Sequence, residues 1–327
     1  MEGILASWGR ILSGYTPALS IEITRECPLR CPGCYAYGDD HLGGTLTLRE
    51  VRDFKGQELV DRFMEVVDRH RPLHVSIVGG EPLVRYRELG AILPQLAERR
   101  IHAQVVTSAV REIPKEWHGM FRLSIVVSID GLQPEHDVRR APATYDRILK
   151  HIEGHHITVH CTVTRQQVNR PGYLEDFLKF WTPRPEVEKI WFSLYTPQIG
   201  EVSEERLRPA ERARAVEDML ALRLRYPKLA LPKGLLEVYA EPPSSPDECV
   251  FARSTLTLSA DLTTKITPCQ YGGAPDCSQC GCIASAGLAA VARHQLFGFI
   301  PVGAIFNGSL KVGEKMRRLR PVEPTTA

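Results

Sequence analysis

Three cysteines close together near the start of the chain are the residues with the clearest chemical potential. They occur in the run Cys27-Pro28-Leu29-Arg30-Cys31-Pro32-Gly33-Cys34, so three thiols lie within a single short loop. Such a loop can direct three sulfurs towards one inorganic centre. Iron–sulfur clusters are normally held by four thiolates, so three would leave one iron open. An open metal position distinguishes a catalytic site from a structural one.

Zinc and disulfide bonds are less favoured interpretations of these cysteines. A local zinc site usually has a second Cys-x-x-Cys pair soon after the first, and no second pair follows until Cys277. The first thirty residues are charged at intervals from Glu2 to Arg25 and contain no long apolar run, so we expect no secretory signal. Metal ligation in a reducing cytosol therefore best explains nine cysteines, and we expect a cytoplasmic protein.

The spacing C-x3-C-x2-C resembles the cluster motif of the radical S-adenosylmethionine (radical SAM) superfamily. The resemblance implies a [4Fe-4S] cluster whose open iron is chelated by SAM, and reductive cleavage of SAM to a 5′-deoxyadenosyl radical. It also implies an electron donor such as flavodoxin or ferredoxin. The family often has an aromatic residue just before the third cysteine, where this chain has Gly33. Tyr35, directly after Cys34, is the candidate to cover the adenine instead.

Composition and charge narrow the class of protein further. The chain has 327 residues and is 43% hydrophobic, which suits a globular fold with one large barrel and an appendage. A net charge of +2 predicts no general attraction to nucleic acid. The most apolar stretch, 283–306, is interrupted by Arg293 and His294, so it does not read as a membrane span.

Strands and helices alternate through the first two thirds of the chain. We predict strands at Leu19–Thr24, His74–Val78, Ala103–Thr107, Leu123–Ile129, Ile157–Thr164 and Glu188–Thr196. We predict helices at Leu48–Arg69, Tyr86–Arg99, Pro134–Ile152, Gly172–Trp181 and Ser203–Arg225. This repetition predicts an α/β fold with a parallel sheet and right-handed crossovers. Six units are fewer than the eight of a full barrel, and they fit the partial (β/α)6 barrel that the resemblance implies.

Polar and apolar residues alternate along these strands, although parallel strands buried on both faces are usually apolar throughout. A polar inner face predicts a cavity for polar ligands. Glu22, His160 and Tyr195 lie on that face and are the catalytic candidates. Glu22 could bind a substrate hydroxyl or amine, and Tyr195 could give a hydrogen atom to a product radical. A half-exposed antiparallel sheet would also alternate, but the intervening helices disfavour it.

Further segments at strand ends match family motifs. Gly79-Gly80-Glu81-Pro82 follows the second strand; glycines permit close approach to a ligand, and a carboxylate can accept from an ammonium. The resemblance implies that this segment binds the SAM amino group. It also implies that Ser128, and a downstream arginine for which Arg140 is favoured over Arg139, meet the SAM carboxylate and ribose. Thr107-Ser108-Ala109, after the third strand, lies where many relatives carry Thr-Asn-Gly, and this makes Ser108 a further candidate for contact with SAM.

Five more cysteines form a group near the C-terminus, in a segment rich in Gly and Pro, namely Cys249, Cys269, Cys277, Cys280 and Cys282. Gly and Pro shape turns that can direct sulfurs inwards, so the segment reads as a metal-binding loop. Taken alone, it fits zinc and an iron–sulfur cluster equally well. Beside the first motif it resembles the SPASM or twitch extensions of radical SAM enzymes, which implies one auxiliary [4Fe-4S] cluster. Four of the five thiolates would suffice.

These observations predict an N-terminal amphipathic helix over 1–16, a radical SAM partial barrel over 17–226, and a linker with an auxiliary-cluster extension over 227–327. The amphipathic helix and the basic segment 311–320 allow weak contact with a membrane surface. We expect a radical SAM enzyme that acts on a peptide, a small metabolite or an apolar, lipid-like molecule. The alternative is a non-catalytic iron–sulfur or zinc protein for electron transfer or partner binding.

Overall fold

A parallel β-sheet forms the centre of the molecule in the computed structural model, which describes residues 2–44, 46–296 and 298–319. Its strands are β1 (Ala18–Glu22), β2 (His74–Val78), β3 (His102–Thr107), β4 (Leu123–Ser128), β5 (Ile157–Val163), β6 (Val187–Leu194) and β7 (Thr255–Leu258). They are all parallel, in the order β6-β5-β4-β3-β2-β1-β7. The prediction of an α/β fold with a parallel sheet is confirmed.

Helices connect the strands and cover the sheet. In chain order they are α1 (Glu2–Leu12), α2 (Gly56–His70), α3 (Tyr86–Glu98), α4 (Glu135–Arg140), α5 (Tyr145–His151), α6 (Arg165–Val168), α7 (Tyr173–Trp181), α8 (Pro209–Arg225), α9 (Lys233–Ala240), α10 (Val250–Ser254), α11 (Ile283–Arg293) and α12 (Val302–Arg318). A short antiparallel pair, β8 (Gln295–Leu296) and β9 (Ile300–Pro301), lies between the last two. Among the described residues, none of the helices is both long enough and apolar enough to cross a membrane.

A seventh strand adds to the six predicted ones, all of which are present. β7 pairs in parallel with β1, with Ala18 opposite Thr255 and Ile21 opposite Leu258. Its four residues, Thr-Leu-Thr-Leu, follow a proline-rich stretch and are too short to stand out as a strand. As a result β1 has a neighbour on both sides, and the sheet takes one strand from the segment after residue 226.

Both faces of β1 are buried, although polar and apolar residues alternate along it. In β1 the apolar Leu19 and Ile21 are 0% exposed, and the polar Ser20 and Glu22 are only 1% exposed. The apolar side chains join the main core with the helices. The polar side chains therefore lie in the interior of the barrel, where burial requires hydrogen-bond partners or water.

Three helix predictions differ from the structure. The predicted helix Ser203–Arg225 begins only at Pro209, a residue that favours the first helical position. The predicted helix Leu48–Arg69 begins only at Gly56, because Leu48 and Val51 pack into a separate small core with Ala36 and Ala260. The predicted helix Pro134–Ile152 is two helices, α4 and α5, since the chain leaves the helical conformation at Ala141, just before Pro142.

The N-terminal helix packs against the C-terminal helix. Trp8 Nε1 in α1 donates to Ser309 Oγ in α12 at 2.5 Å. A Cβ atom on Gly313 would lie 2.1 Å from the carbonyl oxygen of Ile11, so a glycine is needed for this close approach. Met1, at the start of the first predicted unit, and residues 320–327, at the end of the last one, lie outside the described residues.

Candidate functional site

The three-cysteine loop follows β1 at the carboxyl edge of the sheet, where Cys27, Cys31 and Cys34 are each partly buried. Burial raises the pKa of Cys27 to about 12, and it also raises the pKa of Cys31 and of Cys34. The three sulfurs act on one another's pKa, so they lie close together. The backbone N–H groups of Leu29 and Ala36 donate to Cys27 and Cys34, respectively, and thereby favour the thiolate.

These donors fit an iron–sulfur cluster. Buried thiols hold their protons at neutral pH, and a metal that binds them displaces those protons. Amide N–H groups and the nearby Arg140 guanidinium can then stabilise the resulting negative charge. No three His, Cys, Asp or Glu side chains within the described ranges converge on a single metal ion. Each cluster thiolate binds a different iron atom, so cluster ligands have no need to converge in that way.

The two glycines after β2 permit a close approach to the segment that leads into the cysteine loop. Gly79 and Gly80 have φ values of +76° and +49°. A Cβ on Gly79 would lie 2.2 Å from Glu22 Cβ, and one on Gly80 would lie 2.4 Å from the carbonyl oxygen of Glu26. The Glu81 N–H also donates to the Glu26 carbonyl at 2.8 Å. These contacts set the distance between the β2 turn and the cysteine loop.

The Glu81 carboxylate is buried and engaged by the protein itself. Its Oε1 accepts from the Leu83 N–H at 2.9 Å and from the Thr107 hydroxyl. Its Oε2 accepts from the backbone N–H and the hydroxyl of Ser108, at 2.8 and 2.5 Å. These hydrogen bonds of Glu81 connect the turn that begins at Pro82 to the end of β3. Contact of SAM with Gly79–Pro82 and with Ser108 remains a prediction.

Asp130, just after β4, accepts hydrogen bonds from two arginines that differ in their other contacts. Arg140 Nε donates to Asp130 Oδ2 at 2.7 Å, and Arg139 Nε donates to the same atom at 3.1 Å. Burial opposes ionisation of Asp130, but the two guanidiniums outweigh it and lower its pKa to about 2. Arg139 also donates to the Pro32 carbonyl in the cysteine loop and to Glu205. Arg140 interacts electrostatically with both Cys31 and Cys34, and Arg139 also acts on Cys31. Contact of Arg140 with SAM remains a prediction.

Ser128 and His160 are register partners at the ends of β4 and β5. His160 Nε2 lies 2.7 Å from Ser193 Oγ. Burial lowers the pKa of His160 to about 4, so its ring is neutral at pH 7. Asp130 and Arg140 both act on this ring electrostatically, so the structure brings His160 close to the arginine site.

Tyr195 lies after β6 and borders the cysteine loop. A Cβ on Gly33 would lie 3.5 Å from its phenol oxygen. That phenol donates to the Glu201 carboxylate, and burial followed by this bond raises the pKa of Tyr195 to about 12. Tyr195, the predicted donor of a hydrogen atom, is therefore protonated and lies beside the cysteines. Its O–H group is directed at Glu201.

Glu22 has two protein partners that sequence reasoning missed. His41 Nε2 lies 2.7 Å from its Oε1, and Ser259 Oγ donates to its Oε2 at 2.9 Å. His41 stands alone in the glycine-containing segment 38–44 and belongs to no motif, so only the fold reveals its role. Its Nδ1 contacts the carbonyl of Tyr271, within the second cysteine group, at 3.0 Å.

Tyr35 lies between the two cysteine groups. Its ring contacts that of Tyr271 edge-on, with centroids 5.2 Å apart, and that of His41 at 5.6 Å. Cys34 on one side and Cys282 on the other both act on its pKa, which burial raises far above the ordinary value. Tyr35, the residue predicted to cover the adenine, thus makes aromatic contacts that connect the cysteine loop to the C-terminal segment.

The five C-terminal cysteines surround one cavity of about 430 Å³, which includes space open to solvent. Cys282 occupies the N-cap position of α11 without a side-chain hydrogen bond to the helix, and burial raises the pKa of its thiol. Gln270 Nε2 donates to its sulfur at 3.2 Å. Gly281 packs directly on Leu194, which attaches the loop to the end of β6. Five thiols around one cavity, with N–H donors beside them, fit a metal cluster.

Comparison with known proteins agrees with this arrangement. Residues 21–164 match the family model described as the Radical SAM superfamily, and this range contains the first three cysteines, Gly79–Pro82, Ser128 and Arg140. The fold is similar to SuiB of Streptococcus suis bound to precursor peptide SuiA, with a TM-score of 0.55 and 17% identity over 79% of this chain and 61% of that one. It is also similar to anSMEcpe with bound AdoMet, with a TM-score of 0.57 and 15% identity over 78% and 75% of the two chains. A search of curated proteins found no match.

The parallel sheet and the cysteine loop at its carboxyl edge define an α/β enzyme of the partial-barrel type. The chain spans 61% of the length of the SuiB chain that it resembles. The family match over 21–164 identifies a radical SAM domain in this part of the chain and supports a radical SAM enzyme.

Proposed function

We propose that this protein cleaves SAM reductively at a [4Fe-4S] cluster bound by Cys27, Cys31 and Cys34. The single observation that carries the proposal is the position of this loop, inside the matched domain and beside Arg140 and the end of β4. When bound, the cluster and SAM supply a 5′-deoxyadenosyl radical for reaction with a substrate in the barrel.

The protein's own residues bind and orient. Arg140 offers a guanidinium to the SAM carboxylate, and Asp130 holds that guanidinium in place through a 2.7 Å bond. Ser128, at the end of β4, offers a hydroxyl in the same region. Glu81 positions the turn at Gly79–Pro82 through its bonds to Leu83, Thr107 and Ser108, so that backbone groups of the turn can meet the SAM amino group.

We propose that the C-terminal cysteines bind one auxiliary [4Fe-4S] cluster. The cavity that all five share supports this assignment. A reductase such as flavodoxin or ferredoxin would supply electrons to the protein. The barrel interior near His160 and Tyr195 would receive the substrate. The likeness to SuiB, whose structure contains a bound precursor peptide, supports peptides as the first substrate class to test.

Anaerobic reconstitution, reduction with dithionite and assay for 5′-deoxyadenosine test the first proposal. We expect product with the wild-type chain and none with the Cys27/Cys31/Cys34→Ala variant. Wild-type product at background level would favour a non-catalytic iron–sulfur or zinc protein for electron transfer or partner binding.

Metal analysis of the same triple variant tests the auxiliary cluster separately. We expect about four iron and four sulfide per chain to remain after reconstitution. Bound zinc without iron would refute the auxiliary cluster and leave the first proposal intact.

A further inference from the structure

A second polar cavity lies at the opposite end of the barrel from the cysteines. It encloses about 680 Å³ of space, partly open to solvent, at the amino ends of β4, β5 and β6. Three histidines from two different turns line it, together with the acidic side chain of Glu188, namely His118, His155 and His156. The function proposed above uses none of these residues.

His155 is held in the orientation that metal-binding histidines adopt. The residue is 3% exposed, and its Nε2 lies 3.2 Å from the carbonyl oxygen of Ile113. A carbonyl can only accept, so Nε2 carries the hydrogen and Nδ1 of the neutral ring has a free lone pair. Among the described residues this buried Nδ1 has no hydrogen-bond partner. Metal-binding imidazoles commonly donate the other N–H to a backbone carbonyl in this way.

The other two histidines are close enough to share an ion with His155. The ring centroid of His118 lies 6.2 Å from that of His155 and 5.7 Å from that of His156. Two imidazoles bound to one ion at about 2.0–2.1 Å have centroids roughly 5–6 Å apart. In addition, Glu188 Oε1 lies 3.9 Å from His156 Nδ1.

Closure of the site would require rotation of its exposed side chains. No three of these ligand atoms converge on one point among the residues that the structure describes. His118 and His156 are exposed, whereas His155 is held by its bond to the Ile113 carbonyl. Trp117 also lines the cavity, and its buried Nε1 has no partner within the described part of the chain. The lining of the cavity is mainly polar, so it suits a hydrated ion.

We propose that His118, His155 and His156, with Glu188, bind one divalent transition-metal ion of the zinc type. Imidazole and carboxylate donors suit Zn²⁺, whereas thiolates select iron–sulfur clusters, so the two ends of the barrel would take different metals. The ion would join the turn at His118 to the α5–β5 turn and to the start of β6. Its role would be structural, and it does not depend on SAM cleavage.

Titration of the reconstituted, cluster-loaded protein with Zn²⁺ under argon, followed by calorimetry, tests the site. We expect one Zn²⁺ per chain beyond any that the cysteine groups take, and at least tenfold weaker binding in His155→Ala. Because His155 is buried, the exposed pair His118→Ala/His156→Ala provides a second test that spares the core. His294→Ala, an exposed histidine at the end of α11, is the matched control.

Loss of this zinc uptake in the exposed double variant, with iron content and melting temperature before zinc addition retained, would support the site. Equal zinc uptake by wild type and the double variant would overturn it. Both outcomes are read from zinc stoichiometry, so they are independent of whether the chain cleaves SAM.

Discussion

His41 Nε2 lies 2.7 Å from Glu22 Oε1, and neither side chain is more than 1% exposed. The opposite ring nitrogen, Nδ1, lies 3.0 Å from the Tyr271 carbonyl, so it must donate. A second proton is then needed between Nε2 and the carboxylate. Burial alone would lower the pKa of His41, but the Glu22 carboxylate outweighs burial and raises it. An imidazolium–carboxylate pair thus connects β1, the cysteine loop and the second cysteine group.

Removal of one partner from the His41–Glu22 pair should lower the stability of the protein. We expect His41→Ala to lower the free energy of unfolding by about 3–5 kcal/mol, because it leaves the Glu22 carboxylate buried without its counter-charge. Ser259→Ala, which removes a single hydrogen bond to the same carboxylate, should cost about 1–2 kcal/mol. Denaturant unfolding of the three proteins measures both changes. A His41→Ala effect no larger than that of Ser259→Ala would show that the ion pair does not form.

Gly79 should tolerate no side chain. In Gly79→Ala the new Cβ would lie 2.2 Å from Glu22 Cβ, at a φ of +76°. We expect a loss of about 3 kcal/mol or more, together with poor retention of iron, since the cysteine loop must shift. Gly90→Ala is the matched control, because Gly90 lies within α3 with no atom within 4 Å of its new Cβ. It should raise stability by up to about 1 kcal/mol. Similar melting temperatures for the two variants would contradict the close approach.

Stability should fall in mild acid partly through His136. Its Nδ1 accepts from the Asp130 N–H and its Nε2 donates to the Ala143 carbonyl, an arrangement that needs a neutral ring. Burial, followed by Arg140, lowers its pKa to about 4. The neutral ring therefore contributes stability that is fully present above the unfolded pKa of about 6.5 and is lost as pH falls towards 4.

His136→Gln retains one hydrogen-bond acceptor and one donor, and it cannot titrate. We expect its unfolding free energy to fall less steeply between pH 6.5 and 4 than that of wild type, by up to about 1.4 kcal/mol per pH unit. Unfolding curves at several pH values measure the slope. His294→Gln replaces an exposed histidine and is the comparison. A slope in His136→Gln equal to that of wild type would show that His136 is not the group responsible.

Substitution of Arg139 should affect iron retention, whereas substitution of Arg140 should affect SAM binding. Arg139→Gln breaks the bonds to Pro32 and Glu205, so we expect it to loosen the cysteine loop and lower iron retention. Arg140→Gln leaves those bonds intact and removes the guanidinium near Cys31 and Cys34, so we expect normal iron content and at least tenfold weaker SAM binding. Iron analysis and SAM titration distinguish them. The reverse pattern would exchange the roles assigned to the two residues.

Local patterns predicted the parts of this molecule that depend on local chemistry. Five of the six predicted strands begin within one residue of the observed ones, and the sixth, His74–Val78, agrees at both ends. The cysteine spacing led to the family because three thiols in one loop form a motif that needs no fold to be seen. The sequence did not predict the roles of His41, Ser259 and Tyr271, because these roles depend on contacts between distant parts of the chain. Their partners are far away in the chain, and neither spacing nor periodicity carries information about such contacts.

The seventh strand has a consequence for synthesis. During translation β1 and its cysteines emerge early, but β7, which flanks β1, is completed only at Leu258. A nascent chain that stops short of this point presents β1 as a bare sheet edge beside three reduced thiols, a template for pairing with other chains. Contacts between such distant segments also form slowly. The cysteine loop therefore gains its full support only after β7 has been made, and a chain that stops before Leu258 should depend on chaperones more than one that contains β7.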